Sequence, residues 1–180
     1  FSYEYLFNAE VNKHILSYRN YSDRLIAFTS ALLKYYFLPS IIGVNSNDVE
    51  IGVDLFGKPY LANYSNIDFN ISHSGKYVVL GIAIGKKIGV DIEQIDENID
   101  LGISKEVFNS YELKQTSNSA DFYRLWTKKE AYLKCIGNGF ITNLYQNTRL
   151  NTEIVQFVHG CEIYSTSFNQ GYILGVCVTK

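Results

Sequence analysis

Helical and alternating hydrophobic patterns divide the chain into a succession of helices and strands. Residues 9–38 repeat apolar side chains at helical spacing, which predicts two helices that break near Asn20. We expect the second helix to end at Pro39, because proline lacks the N–H that a helix interior needs. The same patterns predict strands at 1–7, 49–53, 69–76, 77–84 and 89–93, and strands from 144 to 179. They also predict helices at 101–108 and 121–135, and Gly137 and Gly139 should stop the second of these.

The order of these elements is similar in the two parts of the chain. Each part places helices before a glycine turn and a pair of antiparallel strands, although no residue-level repeat relates the parts. We therefore expect an α+β fold built from two halves, with approximate bounds 1–87 and 88–180.

Composition and charge exclude several classes of function. The 180 residues are 47% apolar and 19% charged, which is typical of a soluble globular protein. A net charge of −2 without a basic tract argues against a nucleic-acid partner. No apolar run reaches the roughly 18 residues of a membrane span. We also expect no signal peptide. We expect a monomer. Because the chain contains no Met, we also expect its natural start to precede Phe1.

The three cysteines indicate the compartment. Cys135, Cys161 and Cys177 are scattered and form no CxxC pair, and an odd set of this kind is typical of reduced thiols. Cys161 and Cys177 lie within apolar alternations and are expected to be small core residues. The sequence therefore predicts a cytoplasmic protein.

A predicted strand at 89–93 ends in two acids. Alternate residues of a strand share a face, so Asp91 and Glu93 should point the same way. The intervening Val90 and Ile92 should then point to the core. The simpler interpretation is a solvated strand end that precedes a polar loop.

A helical segment at 126–134 is chemically complementary to that strand. Residues four apart share a helix face, so Trp126, Glu130 and Lys134 should form one stripe. If the stripe meets the strand end, three carboxylates converge beside one ammonium. Hard oxygen ligands of this kind suit Mg²⁺, usually with phosphate oxygens completing its shell.

The alternative for the helix is an ordinary exposed face. A Glu130 to Lys134 pair is common on solvated helices and contributes only about 0.2–0.5 kcal/mol. Trp126 on the same stripe argues against full solvation, because a large aromatic side chain favours burial.

Together these segments resemble a known family. Residues 69–75 (FNISHSG), 89–93 (GVDIE) and 122–134 (FYRLWTKKEAYLK) are similar, in this order, to motifs of the Sfp-type 4′-phosphopantetheinyl transferases. The segments 56–59 (FGKP) and 137–140 (GNGF) also match the order of that family. The resemblance covers roughly residues 10–140.

The resemblance implies a fold and a reaction. Family members consist of two similar halves, each with antiparallel strands packed on helices, and the active-site cleft lies between the halves. Coenzyme A binds there with Mg²⁺ on its pyrophosphate. Its phosphopantetheine arm passes to a serine of an apo acyl- or peptidyl-carrier protein, and 3′,5′-adenosine bisphosphate is released.

The resemblance also implies roles for the complementary segments. Asp91, Glu93 and Glu130 match the metal-binding acids of the family. Lys134 matches a lysine near the reacting phosphate, where it would bind coenzyme A. It would also either neutralise charge on the leaving bisphosphate or assist proton transfer.

Four further residues match the family's contacts to coenzyme A. Ser72 and His73 match residues that hold its phosphates, and hydroxyl and imidazole groups are suitable donors for that purpose. Lys58 and, less closely, Arg24 match residues that contact the 3′-phosphate. The alternatives are a polar loop histidine, a solvated turn lysine and a surface arginine.

The resemblance leaves two further assignments open. Glu112 lies in a stretch that resembles the one carrying a candidate general base, although an acid at a helix start is also favoured by the helix dipole. Lys128 and Lys129 lie off the Glu130 stripe, so we expect them to face solvent and attract an acidic carrier protein.

Two rival functions remain from the sequence. A non-catalytic coenzyme A or nucleotide-binding protein would not need the acids and Lys134. A metal-dependent phosphohydrolase would use water in place of the serine, and it typically needs two metal ions about 3.5–4 Å apart. A single visible acidic cluster argues against the hydrolase.

Overall fold

A computed structural model describes residues 6–137 and 148–180. The first five residues of the predicted strand at 1–7 lie outside this part of the chain, and Leu6 and Phe7 form a turn and bend. The predicted stop at Gly139 and the GNGF motif beyond Gly137 also lie outside the described residues.

Two helices open the described chain and break where the sequence predicts. Helix α1 spans Ala9–Ser17 and α2 spans Tyr21–Leu32. The Asn20 side chain caps α2 by accepting a hydrogen bond from the Ser22 amide at 2.9 Å. The predicted break near Asn20 is therefore confirmed.

The predicted end at Pro39 is wrong. After α2 the helix passes through a π-helical turn, Leu33–Phe37, into α3, Leu38–Ile42. Pro39 lies in the first turn of α3, directly after the wider π-helical turn. A helical hydrogen bond from the N–H that proline lacks is not required at that position. The helix instead ends at Gly43, which adopts a left-handed conformation with φ of 75°.

The continuous helix Tyr21–Ile42 is long and apolar enough to cross a membrane, by length and composition alone. The helix meets this test by its mean hydropathy over 18 residues and not by an uninterrupted apolar run. A core helix of a soluble protein passes the same test. Ala31 and Leu38 are buried, and Leu38 packs in a small core with Leu61 and Phe69.

Strands β1 to β4 form two antiparallel pairs. Strand β1, Ile51–Val53, pairs with β2, Pro59–Leu61, across the turn that contains Lys58. Strand β3, Ile67–Ser74, pairs with β4, Tyr77–Ile84, over the full length of both strands. A two-residue turn at 75–76, which the predicted strand 69–76 had included, joins them.

The rest of the chain forms a four-stranded antiparallel sheet with one long helix packed on it. The strand order is β5-β8-β7-β6, so the first and last strands of this part are neighbours. Its elements are β5 (Ile88–Gln94), α4 (Ser104–Val107), α5 (Ser110–Leu113), α6 (Ser119–Ile136), β6 (Val155–Val158), β7 (Cys161–Ser167) and β8 (Tyr172–Thr179).

Two glycines allow α6 to lie directly on the sheet. A Cβ atom at Gly89 would lie 2.0 Å from the Ala131 carbonyl oxygen, and one at Gly175 would lie 2.4 Å from the Thr127 carbonyl oxygen. Only glycine permits this approach of helix and strand backbones. The close packing places one face of α6 against β5, the strand that carries the acids.

The cysteines are scattered in sequence but meet in the core under α6. The sulfur atoms of Cys135, Cys161 and Cys177 lie within 4.8 Å of one another, and all three are buried free thiols. Phe122, Leu125, Leu150 and Ile163 surround this region.

The α+β architecture is confirmed. The described part before residue 88 holds two two-stranded sheets, whereas the part after it holds one four-stranded sheet. The similarity of the two halves and their bounds stay predictions.

Candidate active site

A ladder of side chains joins β3 to β5. Alternate β5 amides donate to alternate β3 side chains over distances of 2.7 to 3.3 Å, always to the residue twenty positions earlier. The constant offset means that the two strands run parallel, with side-chain oxygens in place of backbone carbonyls. The side-chain ladder consists of Asp68, Asn70, Ser72 and Ser74, which bind the amides of Ile88, Val90, Ile92 and Gln94.

The ladder places Asp91 against Lys134. Asp91 is 4% exposed, and its Oδ1 accepts hydrogen bonds from the Lys134 ammonium at 2.5 Å and from the Ser72 hydroxyl at 2.9 Å. The Lys134 side chain is 30% exposed, so its ammonium remains accessible from the cleft. The structure thus brings the strand acid and the helix lysine into contact.

Glu93 lies on the same face of β5. It accepts a hydrogen bond from the Ser74 hydroxyl at 2.9 Å and another from the Trp126 side chain. Trp126 in turn stacks on Phe122, with ring centroids 6.0 Å apart. The predicted stripe on α6 therefore faces the acids of β5 and not the solvent.

The three carboxylates influence one another electrostatically. Burial, reinforced by the charges of Asp91 and Glu93, raises the pKa of Glu130 to about 7, although the nearby Lys134 opposes the rise. Burial is also the main reason why the pKa values of Asp91 and Glu93 are raised. The site therefore disfavours the charged form of all three acids, even though Lys134 is close by.

The donor set fits a divalent cation. Asp91 Oδ2 and Glu130 Oε1 are buried and accept no hydrogen bond from residues 6–137 or 148–180. Buried carboxylate oxygens are normally paired, so two unpaired ones in one cluster indicate a cation-binding position. Oxygen-only donors suit Mg²⁺ or another hard divalent ion.

Two neighbouring clefts could hold a ligand beside this cluster. A cavity of about 270 Å³ is lined by Lys58, Asn70, Glu130 and Lys134, and it brings the FGKP segment to the acids. A larger cleft of about 920 Å³ is lined by His73 and by α1 and α2. Pro59 lines both, and of the two clefts the smaller is the one lined by Glu130 and Lys134.

Lys58 is not a solvated turn lysine. Its ammonium lies 2.7 Å from Asp68 Oδ2 and donates to the Ile88 carbonyl oxygen at 2.9 Å, and its side chain is 10% exposed. Lys58 therefore joins the turn after β1 to the start of the ladder. Its predicted contact with the 3′-phosphate stays a prediction.

Of the other predicted ligand contacts, only His73 lines the larger cleft. Ser72 is buried beside Asp91, whereas the neighbouring His73 is exposed and lines the larger cleft. Arg24, in the first turns of α2, donates a hydrogen bond to the Tyr18 carbonyl oxygen at 3.0 Å. The roles of all three toward coenzyme A stay predictions.

Glu112 lies in a buried structural network. It is fully buried and lies 2.7 Å from the Lys129 ammonium, and its two oxygens also accept from the amides of Asn109 and Leu150. It forms the capping box of α5, so the helix-start interpretation is confirmed. A general base must reach its substrate directly or through one water. In this arrangement Glu112 is enclosed, and the geometry does not support the base role.

The expectation that Lys128 and Lys129 face solvent is wrong. Their exposed fractions are 0% and 1%. Lys128 donates to the carbonyl oxygens of Asn151 and Glu153, and Lys129 donates to that of Val107 at 3.2 Å. The segments that carry these carbonyl groups cover both lysines, and burial lowers the pKa of Lys128 to about 8. They contribute no exposed basic patch.

Sequence reasoning missed the ladder as a unit. Asp68, Asn70 and Ser74 belong to it, yet only Ser72 was a candidate residue. The signal was present as four small polar residues at alternate positions of one strand.

Two family models match this chain. The model of the 4′-phosphopantetheinyl transferase superfamily matches residues 87–177, and that of the 4′-phosphopantetheinyl transferase N-terminal region matches residues 3–84. The two matches together span the β3 and β5 segments and most of the helices.

Individual relatives carry the same description. The chain is 32% identical to 4′-phosphopantetheinyl transferase ffp of Bacillus subtilis, over 88% of this chain and 86% of that protein. It is 29% identical to 4′-phosphopantetheinyl transferase gsp of Aneurinibacillus migulanus, over 93% and 74%. It is 30% identical to 4′-phosphopantetheinyl transferase Sfp of Bacillus subtilis, over 74% and 65%. The chain therefore belongs to the Sfp-type 4′-phosphopantetheinyl transferases, a family of enzymes.

Proposed function

We propose that the protein transfers the 4′-phosphopantetheine group of coenzyme A to a serine of an apo carrier protein, with Mg²⁺, and releases 3′,5′-adenosine bisphosphate. The observation that carries the proposal is the pair of unpaired buried oxygens on Asp91 and Glu130, next to the ammonium of Lys134. A site of this kind suits a substrate that brings phosphate oxygens and negative charge.

In this proposal Asp91, Glu93 and Glu130 hold the cation. When bound, Mg²⁺ neutralises charge on the pyrophosphate of coenzyme A and makes its β-phosphorus more electrophilic. The Ser72 and Ser74 hydroxyls each bind one of the strand acids, which supports a rigid orientation of those two carboxylates. Removal of any one acid should therefore weaken metal binding without opening the core.

Lys134 is the group we assign to the leaving phosphate. Its ammonium is partly exposed and lies at the wall of the 270 Å³ cavity, so a phosphate oxygen can approach it. Negative charge grows on the bridging oxygen as the bond to phosphorus breaks. An ammonium aimed at that oxygen stabilises the transition state more than the ground state.

Binding of the rest of coenzyme A is assigned to residues around the two clefts. His73 and Ser72 are suitable donors to its phosphates, and Arg24 and Lys58 are the candidates for its 3′-phosphate. Lys58 would have to share its ammonium between the ligand and Asp68. The acceptor hydroxyl belongs to the carrier, so this chain needs no nucleophile of its own.

The proposed setting is a cytoplasmic monomer that meets acyl- or peptidyl-carrier proteins. Three free thiols in the described core support a reducing compartment. The formal charge of −2 gives no reason to expect nucleic acid as a partner.

Mass spectrometry of apo-carriers tests the proposal. Apo acyl- and peptidyl-carrier proteins are incubated with coenzyme A, Mg²⁺ and this protein, and each is then digested and mapped. We expect the mass of the phosphopantetheine arm on one carrier serine and equimolar 3′,5′-adenosine bisphosphate in solution. Binding of coenzyme A without any transfer would indicate the non-catalytic alternative, and release of both halves of coenzyme A into solution would indicate a hydrolase.

A further inference from the structure

The two serines of the side-chain ladder each contact two consecutive residues of β5. The Ser74 hydroxyl accepts the amide of Gln94 at 3.0 Å and donates to Glu93 Oε2 at 2.9 Å. The Ser72 hydroxyl repeats the pattern one step earlier, since it accepts the amide of Ile92 at 3.3 Å and donates to Asp91 Oδ1 at 2.9 Å. Each hydroxyl therefore connects the strand backbone to the acid beside it.

This double contact requires a group that both accepts and donates. A hydroxyl has one O–H donor and two acceptor lone pairs, so it can bind an amide and a carboxylate together. An ionised Asp side chain only accepts, as Asp68 does at the other end of the ladder, where it binds the Ile88 amide and the Lys58 ammonium. Two serines at the acid end and an aspartate at the far end are therefore chemically consistent with their neighbours.

Ser72 also fixes which oxygen of Asp91 is free, and Ser74 holds one oxygen of Glu93. Ser72 and Lys134 both bind Oδ1 of Asp91, and Oδ2 is the oxygen left without a partner. Ser74 binds Oε2 of Glu93 from the β3 side, and Trp126 contacts the same carboxylate from α6. Glu93 has three side-chain torsions, so without these contacts its carboxylate would sample several positions.

We infer that Ser74 is a positioning residue that orients Glu93 for metal binding, as Ser72 orients Asp91. The inference rests on the proposed function, because it presupposes a cation held by these acids. In this arrangement β3 orients the metal-binding acids through hydrogen bonds, and its own side chains do not contact the metal. Partners of this kind typically change metal affinity about 10- to 100-fold when they are removed.

The test measures Mn²⁺ binding in the presence of coenzyme A by electron paramagnetic resonance titration, on the wild type and on three variants. Ser74→Ala removes the hydroxyl, Ser74→Thr keeps it, and Ser167→Ala is the control because Ser167 is an exposed serine at the end of β7. We expect Ser74→Ala to bind Mn²⁺ about tenfold more weakly, Ser74→Thr to recover most of the affinity, and the control to match the wild type.

Two further readouts separate positioning from a merely structural role. The transfer rate of Ser74→Ala at saturating metal should stay near the wild-type value while the metal concentration for half-maximal rate rises. Hydrogen exchange at the Gln94 amide should become faster, because its acceptor is lost. A lowered melting temperature with unchanged Mn²⁺ affinity would overturn the inference and leave the proposed function intact. A wild type that neither binds Mn²⁺ nor modifies a carrier would instead overturn the proposed function, and this inference with it.

Discussion

Replacing Glu130 with glutamine should make the metal-free protein more stable while it abolishes transfer. Glutamine keeps the size of the side chain and removes a charge that the site disfavours. Burial and the charges of Asp91 and Glu93 raise the pKa of Glu130 to about 7 from an ordinary value of 4.5. The folded protein therefore holds the proton more tightly than the unfolded chain does.

The sign and size of the effect follow from this difference. As the pH rises from 4.5 to 7, the unfolded chain loses its proton first, so the free energy of unfolding of the wild type falls. The full difference corresponds to about 3 kcal/mol above pH 7, at about 1.4 kcal/mol for each pH unit. Glu130 is partly exposed, and solvent screening reduces the expected gain for Glu130→Gln to about 1–2 kcal/mol. For a chain of this size the melting temperature should rise by about 3–6 °C at pH 8.

The assay is thermal unfolding without metal at pH 8 and pH 5, with Glu106→Gln as a control for the loss of an exposed acid on α4. The gain should shrink toward zero at pH 5, where most of the wild-type side chain is protonated. Mg²⁺ with coenzyme A should stabilise the wild type and have little effect on Glu130→Gln. A variant that is no more stable than the wild type at pH 8, or a gain that is equal at both pH values, would refute the reasoning.

Three other substitutions separate catalytic from structural lysines and acids. Lys134→Ala should lower the single-turnover rate at saturating coenzyme A about 10²–10³-fold, and Lys134→Arg should recover little of it. A rate within a few-fold of wild type would mean that Lys134 only pairs with Glu130 along the helix. Lys58→Met should lower the free energy of unfolding by about 3 kcal/mol, because Asp68 loses its buried partner. In calorimetry it should weaken the binding of coenzyme A more than the binding of 3′-dephospho-coenzyme A. Equal losses of affinity for the two ligands would exclude the 3′-phosphate contact. Glu112→Gln should destabilise by about 3–5 kcal/mol in denaturant titrations yet keep its turnover per folded molecule, whereas a normal stability with lost turnover would restore the general-base role.

The acid and lysine pattern was accessible from the sequence because it depends on local periodicity. Spacing of two along β5 and of four along α6 fixes which side chains share a face, whatever the rest of the fold does. Helical periodicity also predicted the break before α2, whereas the apolar, β-branched composition of residues 77–84 predicted β4. Local periodicity could not predict the surroundings of Glu112 or Pro39, because the first depends on a capping box and the second on a π-helical turn.

The burial of Lys128 and Lys129 could not be read from their own segment. Helical spacing shows that they lie off the Glu130 stripe, but not that distant residues cover that side of the helix. Their ammonium groups bind carbonyl oxygens at Val107, Asn151 and Glu153, which are more than twenty residues away. Such contacts depend on tertiary structure, and a lysine is rarely buried without them.

The measurement that tests the metal site most directly is phosphorus relaxation of bound coenzyme A with Mn²⁺ as the probe. Wild-type protein, Asp91→Asn and Glu130→Gln are compared at equal occupancy of coenzyme A. In the wild type, Mn²⁺ should relax the pyrophosphate phosphorus nuclei far more strongly than the 3′-phosphate, and the difference should vanish in both variants. Equal relaxation of all three phosphates in the wild type, or an unchanged pattern in the variants, would contradict a cation held between these carboxylates and the pyrophosphate.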